Sequence, residues 1–428
     1  MVVSSSTHVQ APSQAASPLQ AESFGTVRHV ANPRRRAGPF PDELEAVLGR
    51  EDASRAYAEI RAWQGYARTP LTRLSGLGHA LGLGAIHYKD EGGRFGLGSF
   101  KALGGAYAVL RLLCSELSTA VGHEVRSEDV LTGRHASRTA GFTVASATDG
   151  NHGRSVAWGA SRCGCRSVIY IHAAVSEQRA EALRALGAEV VRVAGNYDDS
   201  VRQVAVDAER NGWWVVSDTS YPGYMTVPRD VMAGYMVLAL EVVEQLAETV
   251  AEPPTHVIVQ GGVGGVAAAV CAALWQAYGA DRPRMLVVEP DRASCLLRSA
   301  QRGRASAVTI EAETVMAGLS CGEASPLAFQ VLDAAVDDFL AVADTRVAQA
   351  MRLLAETPHG DPPIVAGESA VPGLVLLIEA AEQPALARRL GLDAASRVLL
   401  TGTEGATDEA IYTRMVGRSP AAVLGGQG

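Results

Sequence analysis

From Glu43 onward, apolar positions follow two alternating patterns. Longer stretches with apolar residues three and four apart, such as Ala102 to Leu113, predict buried helices; short β-branched runs predict buried strands. The runs are Thr143 to Ser146, Ser167 to His172, Glu189 to Ala194, Trp213 to Ser217, His256 to Gln260, Met285 to Glu289 and Val398 to Thr401. An eighth, Ile86 to Glu91, reads as a short strand ending in a charged turn that holds Lys89. Helical runs separate nearly all of them, which predicts parallel sheets covered on both faces, the α/β class. In such sheets ligands bind at the carboxyl ends of the strands, so the loops that follow are where chemistry belongs. Residues 1–36, rich in Ser, Ala, Gln and Pro, show neither periodicity and are expected to form a disordered extension, with Arg34-Arg35-Arg36 as a solvated linker.

A chain of 428 residues buries a large core and divides into two or more lobes. Hydrophobic content of 47% with only 5% aromatics and 44 glycines fits an enzyme whose elements pack through small residues. A net charge of −8 argues against nucleic acid or an anionic membrane as partner. No apolar run reaches the ~18 residues of a spanning helix, and the N-terminus lacks the basic-then-apolar order of a secretory signal, so a cytoplasmic protein is expected. The six cysteines are dispersed; the pair Cys163-Gly164-Cys165 is too closely spaced for zinc, and no metal is expected.

Four strand-end loops carry candidate chemistry. The first holds Lys101, where a glycine-rich turn enters a buried helix. An amine there lies in a positive dipole field and in partly apolar surroundings, both of which lower its pKa and favour a nucleophile suited to Schiff-base chemistry; the alternative is a solvated lysine after a turn. The second loop is Ala147-Thr148-Asp149-Gly150-Asn151-His152-Gly153, in which Asn151 offers an amide to a phenolic oxygen and the plain alternative is a helix cap. The third, Gly261-Gly262-Val263-Gly264-Gly265, joins a strand to a helix and suits one phosphate. It also matches a dinucleotide fingerprint, Gly262-x-Gly264-x-x-Ala267, with Glu289 ending the next strand where a ribose-binding acid stands, so a nicotinamide oxidoreductase is a rival reading. That reading leaves Lys101 and the Asp149 loop unexplained. In the fourth loop, Thr401-Gly402-Thr403-Glu404-Gly405, a hydroxyl can meet a ring nitrogen.

Taken in order, Thr69-Pro70-Leu71, SFKALGGAYA, ATDGNHG, GGVGG and TGTEG resemble the fold type II family of pyridoxal-phosphate enzymes. Within it, YKDEGGRFGLGSFKALGG, TDGNHG, VSDTSYPGY, MAGLSCGEASPLAF and TEGATD resemble the diaminopropionate ammonia-lyases. The resemblance implies a two-lobed fold with parallel-sheet three-layer domains: a large cofactor-binding domain from 37–103 and 229–428, and a small one from 104–228. It implies that Lys101 carries pyridoxal 5'-phosphate, Phe100 lies near its ring, Asn151 contacts its phenolic oxygen and Gly261, Gly262, Val263, Gly264 and Gly265 cradle its phosphate. Thr403, or else Thr401, faces its nitrogen. Asp149 and Asp218 are implied to be acidic groups beside a substrate with a second ammonium; Asp218 reads equally well as a turn former. The implied reaction is α,β-elimination of 2,3-diaminopropionate to pyruvate and two ammonia molecules, with Asp149 serving the D isomer and Lys101 the L. The glycine-rich turn before Lys101 departs from the family pattern, which leaves open another β-substituted amino acid as substrate. A small-molecule amino-acid substrate and a homodimer are expected.

Overall fold

The computed structural model describes residues 18–148, 150–249 and 251–425. Its strands are β1 (Glu22–Phe24), β2 (Val27–Ala31), β3 (Leu71–Arg73), β4 (Ala85–Asp90), β5 (Thr143–Ala147), β6 (Arg166–His172), β7 (Glu189–Val193), β8 (Trp214–Val215), β9 (His256–Gln260), β10 (Arg284–Pro290), β11 (Asp338–Val342) and β12 (Arg397–Gly402). They form two sheets, ordered β1-β2-β11-β10-β9-β12-β4-β3 and β7-β6-β5-β8. Each expected strand is present within a few residues. The smaller sheet is wholly parallel. The larger is parallel only through its centre, from β11 to β4; β1, β2 and β3 run antiparallel at its margins.

The structure corrects the reading of the N-terminal segment from residue 18 on. Val27 and Val30 are buried, and β2 pairs with β11, Val30 lying opposite Phe339. Three valine and histidine positions are too short a run to register as a strand by alternation; the pairing with β11 supplies the order. In the arginine cluster Arg35 and Arg36 are exposed, as expected of a solvated linker, yet each of the three arginines has a carboxylate partner. Arg34 bonds Asp333 at 2.7 Å, Arg35 pairs with Asp337, and Arg36 with Glu43. The expected disorder of residues 1–17 lies outside the described residues.

Lys89 is a second correction. It is fully buried, and Nζ donates to Glu241 at 2.6 Å, to the Thr69 carbonyl at 2.9 Å and to Gln245 at 2.9 Å. Arg94 completes the group, bonding Glu91 and Glu241 at 2.7 Å each. Two cations and two carboxylates compensate one another where water cannot, which ties β4 to the helix Thr226–Glu248.

The helix Lys101–Val121 packs against both that helix and the helix Asn151–Cys163. Their approach depends on small residues. A Cβ on Gly104 would lie 2.2 Å from the ring of Tyr235, so only glycine lets that ring settle one turn beyond Lys101.

Candidate active site

The loops after β4, β5, β8, β9 and β12 converge at the carboxyl ends of the two sheets. Lys101 opens its helix, preceded by Phe100. Its backbone neighbours are clipped to the loop after β12: Phe100 N–H donates to the Thr403 carbonyl and Gly405 N–H to the Gly98 carbonyl, each at 3.0 Å. Phe100 packs edge-on against Tyr235, ring centroids 4.7 Å apart, and Lys101 Nζ lies over both rings.

Lys101 Nζ donates to Asp218 Oδ2, with 21% and 17% of the two side chains exposed, so the pair lines an opening and not the core. Burial works against charge on Lys101, but Asp218, with Tyr235 behind it, more than reverses this and holds the ammonium above its usual range. Asp218 is likewise held well below the usual carboxylate range: burial opposes its charge, and Lys101 and then His152 overcome that. The expected lowering of the Lys101 pKa is therefore wrong for the protein without cofactor. Helix dipole and apolar surroundings are weaker than one carboxylate in contact. Asp218 is thus more than a turn former; the turn it begins is instead anchored by Ser220, whose hydroxyl meets that of Ser325 at 2.8 Å and accepts from Leu327 N–H at 2.9 Å.

Asn151 begins its helix and donates Nδ2 to Glu404 Oε2 at 2.7 Å. His152 sits beside it with Nε2 3.0 Å from the Val216 carbonyl, while its buried Nδ1 has no partner among the described residues. Burial, and then Lys101, lower the pKa of that imidazole against the pull of Asp218. Asp149, expected here, lies outside the described residues.

The glycine loop after β9 turns at Gly262 (φ 62°) and Gly264 (φ 101°) into the helix Gly265–Tyr278. The N–H groups of Gly262, Val263, Gly265 and Val266 have no acceptor among the described residues, whereas Gly261 N–H is used by the Val288 carbonyl. Four free donors at a helix N-terminus fit a phosphate. Glu289 does not serve as a ribose ligand. It is buried, and its oxygens accept from Leu296 and Leu297 N–H at 2.9 and 2.8 Å, capping the next helix; burial pushes its carboxyl up to about 8. The nicotinamide reading is corrected on that ground.

After β12, the Thr401 hydroxyl donates to Gln260 Oε1 at 2.5 Å and that of Thr403 to the Ser369 carbonyl at 3.2 Å. A hydroxyl has one proton, so whichever donates to a ring nitrogen must release its present acceptor. Tyr235, His152 and the carboxyl of Glu404 were not assigned roles from the sequence. His152 and Glu404 stand inside the motifs, but Tyr235 is reached only through the packing of two helices, and the sole hint was the glycine pair after Leu103.

An amine poised beside a carboxylate, a phosphate-sized cradle of free N–H groups and an amide between them suit a flat, phosphorylated aldehyde. The chain matches the family of pyridoxal-phosphate dependent enzymes over residues 62–399 and belongs to it. Its cofactor is pyridoxal phosphate. It is 38% identical over 382 residues to a diaminopropionate ammonia-lyase of Escherichia coli, a match covering 88% of this chain and 94% of the relative. A Salmonella typhimurium diaminopropionate ammonia-lyase is 41% identical over 362 residues, 83% of this chain and 89% of that one. The crystal structure of holo diaminopropionate ammonia lyase from Escherichia coli superposes with a TM-score of 0.83 at 36% identity, covering 93% of this chain and 98% of that one. A threonine deaminase of Solanum lycopersicum, 19% identical with a TM-score of 0.68, shares the fold.

Proposed function

We propose that this protein is a diaminopropionate ammonia-lyase, which eliminates ammonia from 2,3-diaminopropionate and, with one water, yields pyruvate and two ammonia molecules. The observation that carries the reading is the contact between Lys101 Nζ and Asp218 at the mouth of the site, beside the free N–H groups of the glycine loop. Lys101 would hold the cofactor covalently, Gly261 to Gly265 its phosphate, Asn151 its phenolic oxygen, Phe100 its ring and Thr403 or Thr401 its nitrogen. The bound cofactor supplies electron withdrawal that acidifies the substrate's Cα–H.

The rest is the work of the chain. Once the substrate amine replaces it, Lys101 Nζ is free to take the Cα proton from one face, and Asp149 takes it from the other. We assign Lys101 to the L isomer and Asp149 to the D isomer. Asp218, no longer facing a lysine ammonium, is left with a partly buried negative charge that the substrate's β-ammonium satisfies, and it orients that amine for departure. Serine, with a neutral hydroxyl there, offers no such compensation.

The test is pyruvate and ammonia release from both isomers and from serine, for the parent and for Asp149→Asn. The reading expects ammonia and pyruvate in a ratio of two to one from the diamine, and a much larger loss for the D than for the L isomer in the variant. Turnover of serine or another β-substituted amino acid with none of either diaminopropionate isomer would overturn it in favour of a different substrate.

We further propose a cytoplasmic homodimer with a small domain at 104–228 and a large domain from 37–103 and 229–428. The dispersed cysteines support the location, and no helix among the described residues is long and apolar enough to cross a membrane. The four-stranded sheet, drawn wholly from Thr143 to Val215, supports the division. Light scattering of the purified enzyme tests the dimer: twice 44.8 kDa is expected.

A further inference from the structure

The chemistry above leaves the carboxyl of Glu404 unused, although it is only 5% exposed and stands against the site. Its Oε2 accepts from Asn151 Nδ2 at 2.7 Å and its Oε1 from Ser369 N–H at 3.2 Å. Its main chain is fixed as firmly: Gly367 N–H donates to its carbonyl at 3.0 Å, and it forms a bridge with Ser99 in the segment leading to Lys101. The contact with Asn151 joins the two halves of the molecule, since Asn151 follows a strand of the small sheet and Glu404 a strand of the large one.

A side-chain amide can turn over and present either its oxygen or its nitrogen, and the two orientations recognise opposite partners. An ionised carboxylate only accepts. Glu404 therefore dictates that Asn151 turns Nδ2 towards it, which leaves one N–H of that nitrogen, with a fixed direction, for an acceptor in the site. Burial pushes the Glu404 carboxyl up from its ordinary range, and the hydrogen bonds from Ser369 and Asn151 work against that, while neighbouring Glu368 is pushed up to about 7 by burial and then by Glu404.

We propose that Glu404 is a positioning residue that acts through Asn151, locking its amide so that the remaining N–H meets the cofactor's phenolic oxygen. The inference rests on the reading of Asn151 as the group that contacts that oxygen. It assigns no proton transfer to Glu404. It distinguishes an acid that stabilises the fold from one that tunes the cofactor, because only the second alters the cofactor's electronic state.

The experiment compares holoenzymes carrying Asn151→Ala, Glu404→Ala, Glu404→Gln and the double change Asn151→Ala/Glu404→Ala. Two quantities are read: the visible absorption band of the bound cofactor and its rate of loss on dialysis, with far-UV circular dichroism as the check of folding. Asn151→Ala is expected to shift the band and, by losing a hydrogen bond to a charged oxygen, to speed cofactor loss about tenfold. Glu404→Ala should shift the band the same way and add nothing further in the Asn151→Ala background. Glu404→Gln should give a smaller shift, because a glutamine has one acceptor for the two donors of Asn151 and Ser369; it also serves as the test should Glu404→Ala fail to fold. A band moved by Asn151→Ala but not by either Glu404 variant overturns the proposal while sparing the reading of Asn151. A Glu404 shift that persists undiminished in the double variant overturns it equally. If Asn151→Ala itself leaves the band in place, both readings fall.

Discussion

Single residues at this site are set by their nearest charge and not by the element they begin. Lys101 has the helix start and apolar neighbours that depress an amine's pKa, yet Asp218 in contact outweighs both. Replacing Lys101 by Ala should abolish the visible absorbance of bound cofactor and reduce turnover by several orders of magnitude, since no other residue supplies both attachment and proton transfer; turnover near the parent's would contradict the assignment. The pair also makes a prediction for the cofactor-stripped protein. Asp218 has a folded pKa below its ordinary 3.8, so its stabilisation is present above that value and lost as the pH falls through the lowered one. Lys101 has a folded pKa above 10.5, so its share is present below that value and lost as the pH rises through the raised one. The contribution is complete between the two. Asp218→Asn should therefore lower the urea midpoint more at about pH 7 than at about pH 3, where the parent's advantage is already fading.

At the scale of elements, the glycine loop and the buried charge group behave oppositely under substitution. Gly264 has φ 101°, and a Cβ there would lie 3.1 to 3.3 Å from Leu332, Leu296 and Ala328. Gly264→Val should combine backbone strain with displacement of the turn, so that dialysis strips cofactor faster than from the parent and the melting temperature falls. Equal retention would mean that the loop does not hold the phosphate. Lys89, by contrast, is fully enclosed and directs its donors at Glu241, Gln245 and the Thr69 carbonyl. Lys89→Ala leaves Glu241 short of its closest cation and should cost about 3–5 kcal/mol in denaturant unfolding, while the folded fraction keeps its colour. From the sequence this lysine read as part of a charged turn, because alternation along β4 does not reveal that the helix Thr226–Glu248 brings Glu241 and Gln245 to it.

For the whole molecule, the margin strands are the part supplied from far away in the chain. β2 covers the edge of β11, and His29 reaches Asp338 at 2.8 Å from the other end of the sequence. Removal of residues 1–31 should expose that edge and yield a protein that aggregates and unfolds at lower denaturant, whereas removal of residues 1–17 should leave β1 and β2 in place. The sequence by itself determined the α/β alternation, with the strand His256–Gln260 placed to the residue, and the loops at the strand ends on which Lys101, Asn151, Asp218 and the glycine run stand. These are local signals: a buried strand, a tight turn and a helix start each leave a mark within a few neighbouring positions. Only the tertiary structure decided that Asp218 faces Lys101 from 117 positions away, that Glu404 holds Asn151 from 253 positions away, that Tyr235 closes over Gly104, and that β2 belongs to the large sheet. Such contacts depend on which faces of distant elements are pressed together as the core excludes water, and no local pattern of apolar and polar residues encodes that choice.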